Sequence, residues 1–119
     1  MGEAASVRVF YRLIESDTPT ERDFWTHARL GRPLRDERDR EFYERGVSAF
    51  DRSASAIEMA KKIRNPVMKC FAKLVIPPGC QLRIEKTRGR NHYTIWDADP
   101  LELLGYVEYP TIPVQEGAY

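Results

Sequence analysis

The chain has no run of eighteen apolar residues, so nothing in it reads as a membrane-spanning helix. Its start, MGEAASVRVF, lacks a basic flank and a long apolar segment, which argues against a secretory signal. These absences point to a cytoplasmic protein. Only two cysteines are present, Cys70 and Cys80, and only two histidines, His27 and His92. A strand-turn-strand reading places the two cysteines near one another, but in a cytoplasmic chain reduced, buried thiols are the expectation. No Cys-x-x-Cys or His-x-x-x-His spacing occurs, so no metal site is expected. Also missing are GxGxxG, GxxxxGK[ST], GxSxG and HExxH, which removes the common nucleotide-cradle, serine-hydrolase and zinc-protease signatures.

What remains is a chain of 119 residues, 42% hydrophobic and 31% charged, consistent with a single globular domain over 1–119 with frayed ends at 1–5 and 115–119. Net charge is +1, but unevenly spread. Residues 61–92 hold nine Lys or Arg against one acid, Glu85, while residues 93–119 hold five acids and no Lys or Arg. Two outcomes fit: the blocks neutralise each other in the fold, or they make opposed charged faces.

Val7–Ile14 alternates as a strand, with Val7, Val9, Tyr11 and Leu13 on one face and Arg8, Phe10, Arg12 and Ile14 on the other. A cation inside that strand is costly without an anionic partner. Thr18, Pro19 and Glu21 read as cap, first turn and capping-box acid of a helix that runs to Gly31. A polar connector and a second short helix, about 36–45, precede Gly46–Phe50, a short strand. Asp51, Ser53 or Ser55 caps a helix to about Ile63, Ser55 with Glu58 fitting the capping-box spacing, and Ala56, Met59, Ala60 and Ile63 recur at helical spacing. Met68–Ile76 is the clearest strand; Leu82 with Ile84, then His92–Trp96, mark two more around a turn at 88–91. Asp99-Pro100-Leu101-Glu102 opens a short helix ending by Gly105, and Tyr106–Tyr109 fits a last strand. The order predicts an α+β fold with a mixed or antiparallel sheet and helices mostly in the N-terminal half.

Chemistry-bearing residues then fall on separate strands. Arg12 has the fork that grips phosphate or carboxylate. Ser48 precedes a helix start that offers backbone donors to an anion. Thr87, Arg90 and Thr94 surround the second hairpin, and His92 is a candidate catalytic acid, base or hydrogen-bond donor, a role the imidazole side chain suits. Tyr93 and Trp96 offer faces for stacking a base or nicotinamide ring. Glu85 is the acid placed to stabilise positive charge on a sugar ring.

The order Tyr11-Arg12-Leu13, Gly46-Val47-Ser48-Ala49-Phe50, Ala72-Lys73-Leu74-x-Ile76-Pro77, Thr87…His92-Tyr93-Thr94-Ile95-Trp96 and Asp99-Pro100 resembles a group of short bacterial proteins of uncharacterised function. More distantly the pattern is similar to compact ADP-ribosyltransferase-like domains. There an early strand carries an Arg or His for the dinucleotide, a second strand carries a Ser beside an aromatic, and a later strand carries a catalytic Glu. That resemblance implies an NAD ligand without a metal, with Arg12 and Ser48 in the first two roles and Glu85 in the third. Gln81 lies four residues before Glu85, whereas the family pattern places Gln or Glu two residues before the catalytic Glu. Two further function classes compete: a non-enzymatic module docking an acidic protein through the 61–92 block, and, ranked lower, nucleic-acid binding through Lys86, Arg88 and Arg90.

Overall fold

A computed structural model describes residues 7–15, 18–63, 70–87 and 91–113. The terminal segments expected to fray at 1–5 and 115–119, and Arg88 and Arg90, lie outside the described residues. Six strands run in the order β4-β5-β2-β1-β3-β6, and every neighbouring pair is antiparallel. The strands are β1 (Arg8–Ile14), β2 (Gly46–Phe50), β3 (Cys70–Ile76), β4 (Arg83–Lys86), β5 (His92–Trp96) and β6 (Val107–Pro113). The helices are α1 (Arg40–Arg45), α2 (Ser53–Ile63) and α3 (Pro100–Gly105), and two 3-10 turns, Glu21–Phe24 and Glu37–Asp39, lie between β1 and α1. The sheet is therefore antiparallel, and its α+β character is as the sequence predicts.

Alternation along β1 sorts the core. Phe10 and Ile14 join Ala49, Ala72, Leu74, Ile95, Phe24 and Leu103 in the main apolar cluster. Leu13 and half-buried Tyr11 face the other way and meet Phe71, Ile57 and Met59 under α2. Both faces are thus covered, one by α3 and the first 3-10 turn, the other by α2. Ala56, fully buried, lets α2 approach the sheet closely.

The first predicted helix is corrected. Only Glu21–Phe24 is helical, as a 3-10 turn; Thr20 rather than Thr18 caps it, and Asp23 rather than Glu21 completes the capping box. The reason is tertiary. An α-helix would offer the Asp23 carbonyl to His27, but Arg12 Nε takes it at 2.9 Å. Trp25 is then extended, and 27–31 closes as separate turns ending at Gly31, whose φ of +77 suits glycine. The last strand is longer than expected and includes two prolines. It lies at the sheet edge, where a missing N–H costs no interior ladder bond.

The expected nearness of Cys70 and Cys80 is also corrected. Cys70 opens β3 and Cys80 follows its far end, so six strand steps, about 20 Å, separate them along the sheet. A disulfide needs Cα atoms within about 7 Å. Neither cysteine is in a disulfide; Cys70 is buried and Cys80 partly exposed. No helix among the described residues is long and apolar enough to cross a membrane.

Candidate functional site

Arg12 and Ser48 do meet. β1 and β2 pair at one register point, Tyr11↔Phe50, whereas β1 and β3 pair over seven. Into the gap so opened goes the Arg12 guanidinium. Its Nη1 donates to the Ser48 carbonyl at 2.8 Å and to Ser48 Oγ at 3.3 Å, while Nε holds the Asp23 carbonyl. The expected anionic partner is not what bonds it. Asp23's carboxylate accepts from the Thr20 and Glu15 backbone N–H groups instead. Burial pushes the Arg12 pKa down to about 10, the nearby Asp23 charge opposes that fall, and the Arg32 charge adds to it. The guanidinium thus stitches β1, β2 and the first 3-10 turn together. The hollow beside it measures about 30 Å³, room for a water or two. A nucleotide does not fit there.

His92 belongs to a different cluster. Its Nδ1 lies 2.9 Å from Thr87 Oγ1 and 3.1 Å from the Thr87 carbonyl, and Thr87 Oγ1 lies 2.8 Å from Thr94 Oγ1. Thr94 is fully buried and sits directly across from Ser48 in the register. His92 packs edge-on against Phe50, ring centroids 5.2 Å apart. Thr87, His92 and Thr94 therefore form a hydroxyl–imidazole brace across the β4–β5 hairpin.

Period two separates the two aromatics expected to stack together. Tyr93 lies on the Phe10 face of the sheet, at a ring distance of 5.2 Å from Phe10. Trp96 lies on the opposite face with Phe42 and Arg83 against it. They form no common platform, and His92 and Tyr93 cannot close over one base from the same side. Glu85 is exposed on edge strand β4 and paired with Arg83 at 3.0 Å. Arg90 lies outside the described residues.

The basic block does not make one patch among its described members. Lys73 on β3 pairs with Glu108 at 3.2 Å, and Arg83 pairs with Glu85. Lys73 and Lys86 sit four strand spacings apart, about 19 Å, on opposite faces. The acids of the C-terminal block serve partly as local partners, as neutralisation within the fold requires.

A larger cavity lies elsewhere. A groove of about 560 Å³ opens where α1 hands over to β2 and β5 hands over to α3. Phe24, Ala28, Val47, Ala98 and Pro100 supply its apolar lining. Arg29, Glu44, Arg45 and Asp97 supply its charges. Three of those four are firmly committed. Arg45 grips both Asp97 oxygens, at 2.7 and 2.5 Å, which holds the Asp97 carboxyl below the usual range, and Glu44 pairs with Arg40 at 3.2 Å. Asp97 does this from a left-handed backbone, φ 52, the one non-glycine case among the described residues. Arg29 is the least engaged. Its guanidinium lies over the Trp25 ring at 4.2 Å, with a single exposed pair to Glu21 at 3.4 Å.

The charged lining residues Arg29, Glu44 and Arg45 do not stand out in the sequence, where acids and bases balance across 18–45 as on a solvated surface. The available signal is the spacing of Trp25 and Arg29, one helical turn apart. Comparison with models of known families, with curated proteins and with solved structures finds no match to this chain.

Proposed function

We propose that this domain binds a small phosphate-bearing organic ligand of nucleotide size in the groove between α1, the β5–α3 corner and the 26–29 turn. The volume of about 560 Å³ carries this reading. It falls within the span of ordinary small-molecule sites, roughly 300–1,000 Å³. The apolar floor suits a flat ring. The least satisfied charge on the rim is the cation of Arg29, whose exposed pair with Glu21 contributes little and can be exchanged for a ligand anion. NAD is a ligand of this class. Transfer of its ADP-ribose would need a free carboxylate beside the reacting sugar. Glu44 and Asp97, which line the groove, are both paired with arginines, and Glu85 does not line it. Binding without turnover is therefore the function proposed.

Thermal unfolding with added NAD, ADP and inorganic phosphate tests it. ADP and NAD should raise the midpoint, and phosphate alone should raise it less. Ala28→Trp, which fills the groove, should abolish the shift while leaving circular dichroism unchanged. Arg29→Ala should weaken binding about tenfold, the loss of one charge-assisted hydrogen bond. Absence of any shift at millimolar NAD and ADP would refute the proposal.

One observation favours a second occupant. Leu101 is 59% exposed and follows Pro100, extending the apolar lining outward. A short peptide with one apolar anchor and an acidic neighbour would use both Leu101 and Arg29. Leu101→Ala should weaken such a peptide and leave ADP unaffected.

A further inference from the structure

On the other side of the first 3-10 turn from the groove lies the hollow of about 30 Å³ beside Arg12. Phe24 lines the groove and Asp23 lines the hollow, so the two are separate sites sharing one wall. Among the described residues, the charged ones around the hollow are Arg12, Arg22 and Arg32 against Glu15 and Asp23, three cations to two acids. Both acids are already committed. Asp23 Oδ2 accepts from Thr20, Asp23 Oδ1 accepts from the Glu15 backbone, and Glu15 Oε1 accepts from Arg32 Nη2 at 3.0 Å. Arg32 Nη1 also lies 3.3 Å from His27 Nδ1. Arg12 itself reaches only neutral acceptors, the Asp23 and Ser48 carbonyls and the Ser48 hydroxyl. A half-buried cation with neutral partners, in a wall whose described residues carry one excess positive charge, attracts an anion. The small volume of the hollow favours a compact anion over a phosphate, which carries four oxygens around its centre.

We propose that this hollow is a binding site for a single monoatomic anion, chloride in solution, held between Arg12, Arg22 and Arg32. The anion neutralises the excess charge and locks the first 3-10 turn against β1. It occupies a place that a nucleotide cannot enter, so this site stands or falls independently of the groove.

The test compares thermal unfolding in sodium chloride and in sodium gluconate at equal ionic strength, with bromide soaked into crystals as an anomalous scatterer. Chloride should raise the midpoint along a single-site saturation curve, by roughly 5 °C once chloride exceeds its dissociation constant about fivefold. Arg22→Gln or Arg32→Gln should remove the chloride-specific part. Glu15→Gln should enlarge it, because the wall then carries two excess positive charges. That opposite sign separates anion binding from simple loss of stability. Arg29→Ala, in the groove, should leave the chloride effect intact. A bromide peak beside the Arg12 guanidinium completes the expected result. Coincident curves in chloride and gluconate, or a chloride effect that the Arg22, Arg32 and Glu15 substitutions leave unchanged, would overturn the proposal, as would bromide density confined to other places.

Discussion

Replacing Gly46 with alanine isolates one steric contact that positions the groove. Gly46 is buried at the junction of α1 and β2, with ordinary extended backbone, φ −109 and ψ 147. No left-handed strain therefore enters the comparison. On backbone grounds alone the change would favour folding by about 0.4–1 kcal/mol, because alanine restricts the unfolded chain. The surroundings oppose it. A Cβ at this position would lie 2.6 Å from Phe42 Cδ1, 2.9 Å from Thr94 Cγ2 and 3.1 Å from the Phe42 carbonyl. The Phe42 ring is hemmed by His27 and by Trp96, at centroid distances of 5.7 and 6.5 Å. Thr94 is buried, its hydroxyl 2.8 Å from that of Thr87. Neither neighbour retreats without disturbing another contact. Overpacking of this kind costs about 1–3 kcal/mol. The net expectation is a loss of about 1–2 kcal/mol, or roughly 4–8 °C in the unfolding midpoint for a chain of this length. Urea unfolding followed by circular dichroism reads it directly. Phe42→Leu in the Gly46→Ala background should recover part of the loss, since a smaller side chain vacates the space. Glu44 and Arg45 immediately precede Gly46 and line the groove, so ligand affinity should fall with stability. A Gly46→Ala protein that melts at or above the parent, or a double variant whose losses simply add, would refute this account of the junction.

Two further outcomes follow from burial and charge. Leu74→Ala, at a site with no exposed surface, should cost about 3 kcal/mol by urea unfolding, against a change within about 0.5 kcal/mol for exposed Leu101→Ala; comparable losses would contradict the assigned core. Arginine partners hold the carboxyls of Asp36, Glu37 and Asp97 below their ordinary values of 3.8 and 4.5. Carboxyls depressed in the folded state contribute stability above their unfolded values and lose it as pH falls through the folded ones. The stability curve should therefore decline on acidification below about pH 4, and a rise there would contradict these pairings.

Local pattern carried the strands well. Gly46–Phe50 and His92–Trp96 form as written, because alternating β-branched and aromatic residues suit a pleated, half-buried surface. Asp99-Pro100 starts α3 as capping chemistry requires, with Asp99 accepting from the Leu101 N–H at 3.0 Å. The Thr18–Gly31 segment failed because its outcome depends on Arg12, eleven residues before Asp23. A carbonyl claimed from another strand cannot continue a helix, and no window along the chain contains that information.

The candidate residues divided in the same way. That Arg12 needs a partner follows from a charge in a buried strand; that the partners are carbonyls, in a gap between β1 and β2, follows only from packing. Tyr93 and Trp96 are three positions apart in a strand, so alternation already parted them. The groove was illegible because residues from 24 to 100 meet there, and each alone is ordinary: an alanine, a proline, a surface arginine.

By itself the sequence determined the elements whose causes are local: period-two strands, caps, turn residues and the apolar faces that must be covered. Tertiary structure alone decided strand order, which buried cation met which carbonyl, and where a cavity was left. Those depend on groups distant along the chain competing for the same hydrogen bonds and the same space.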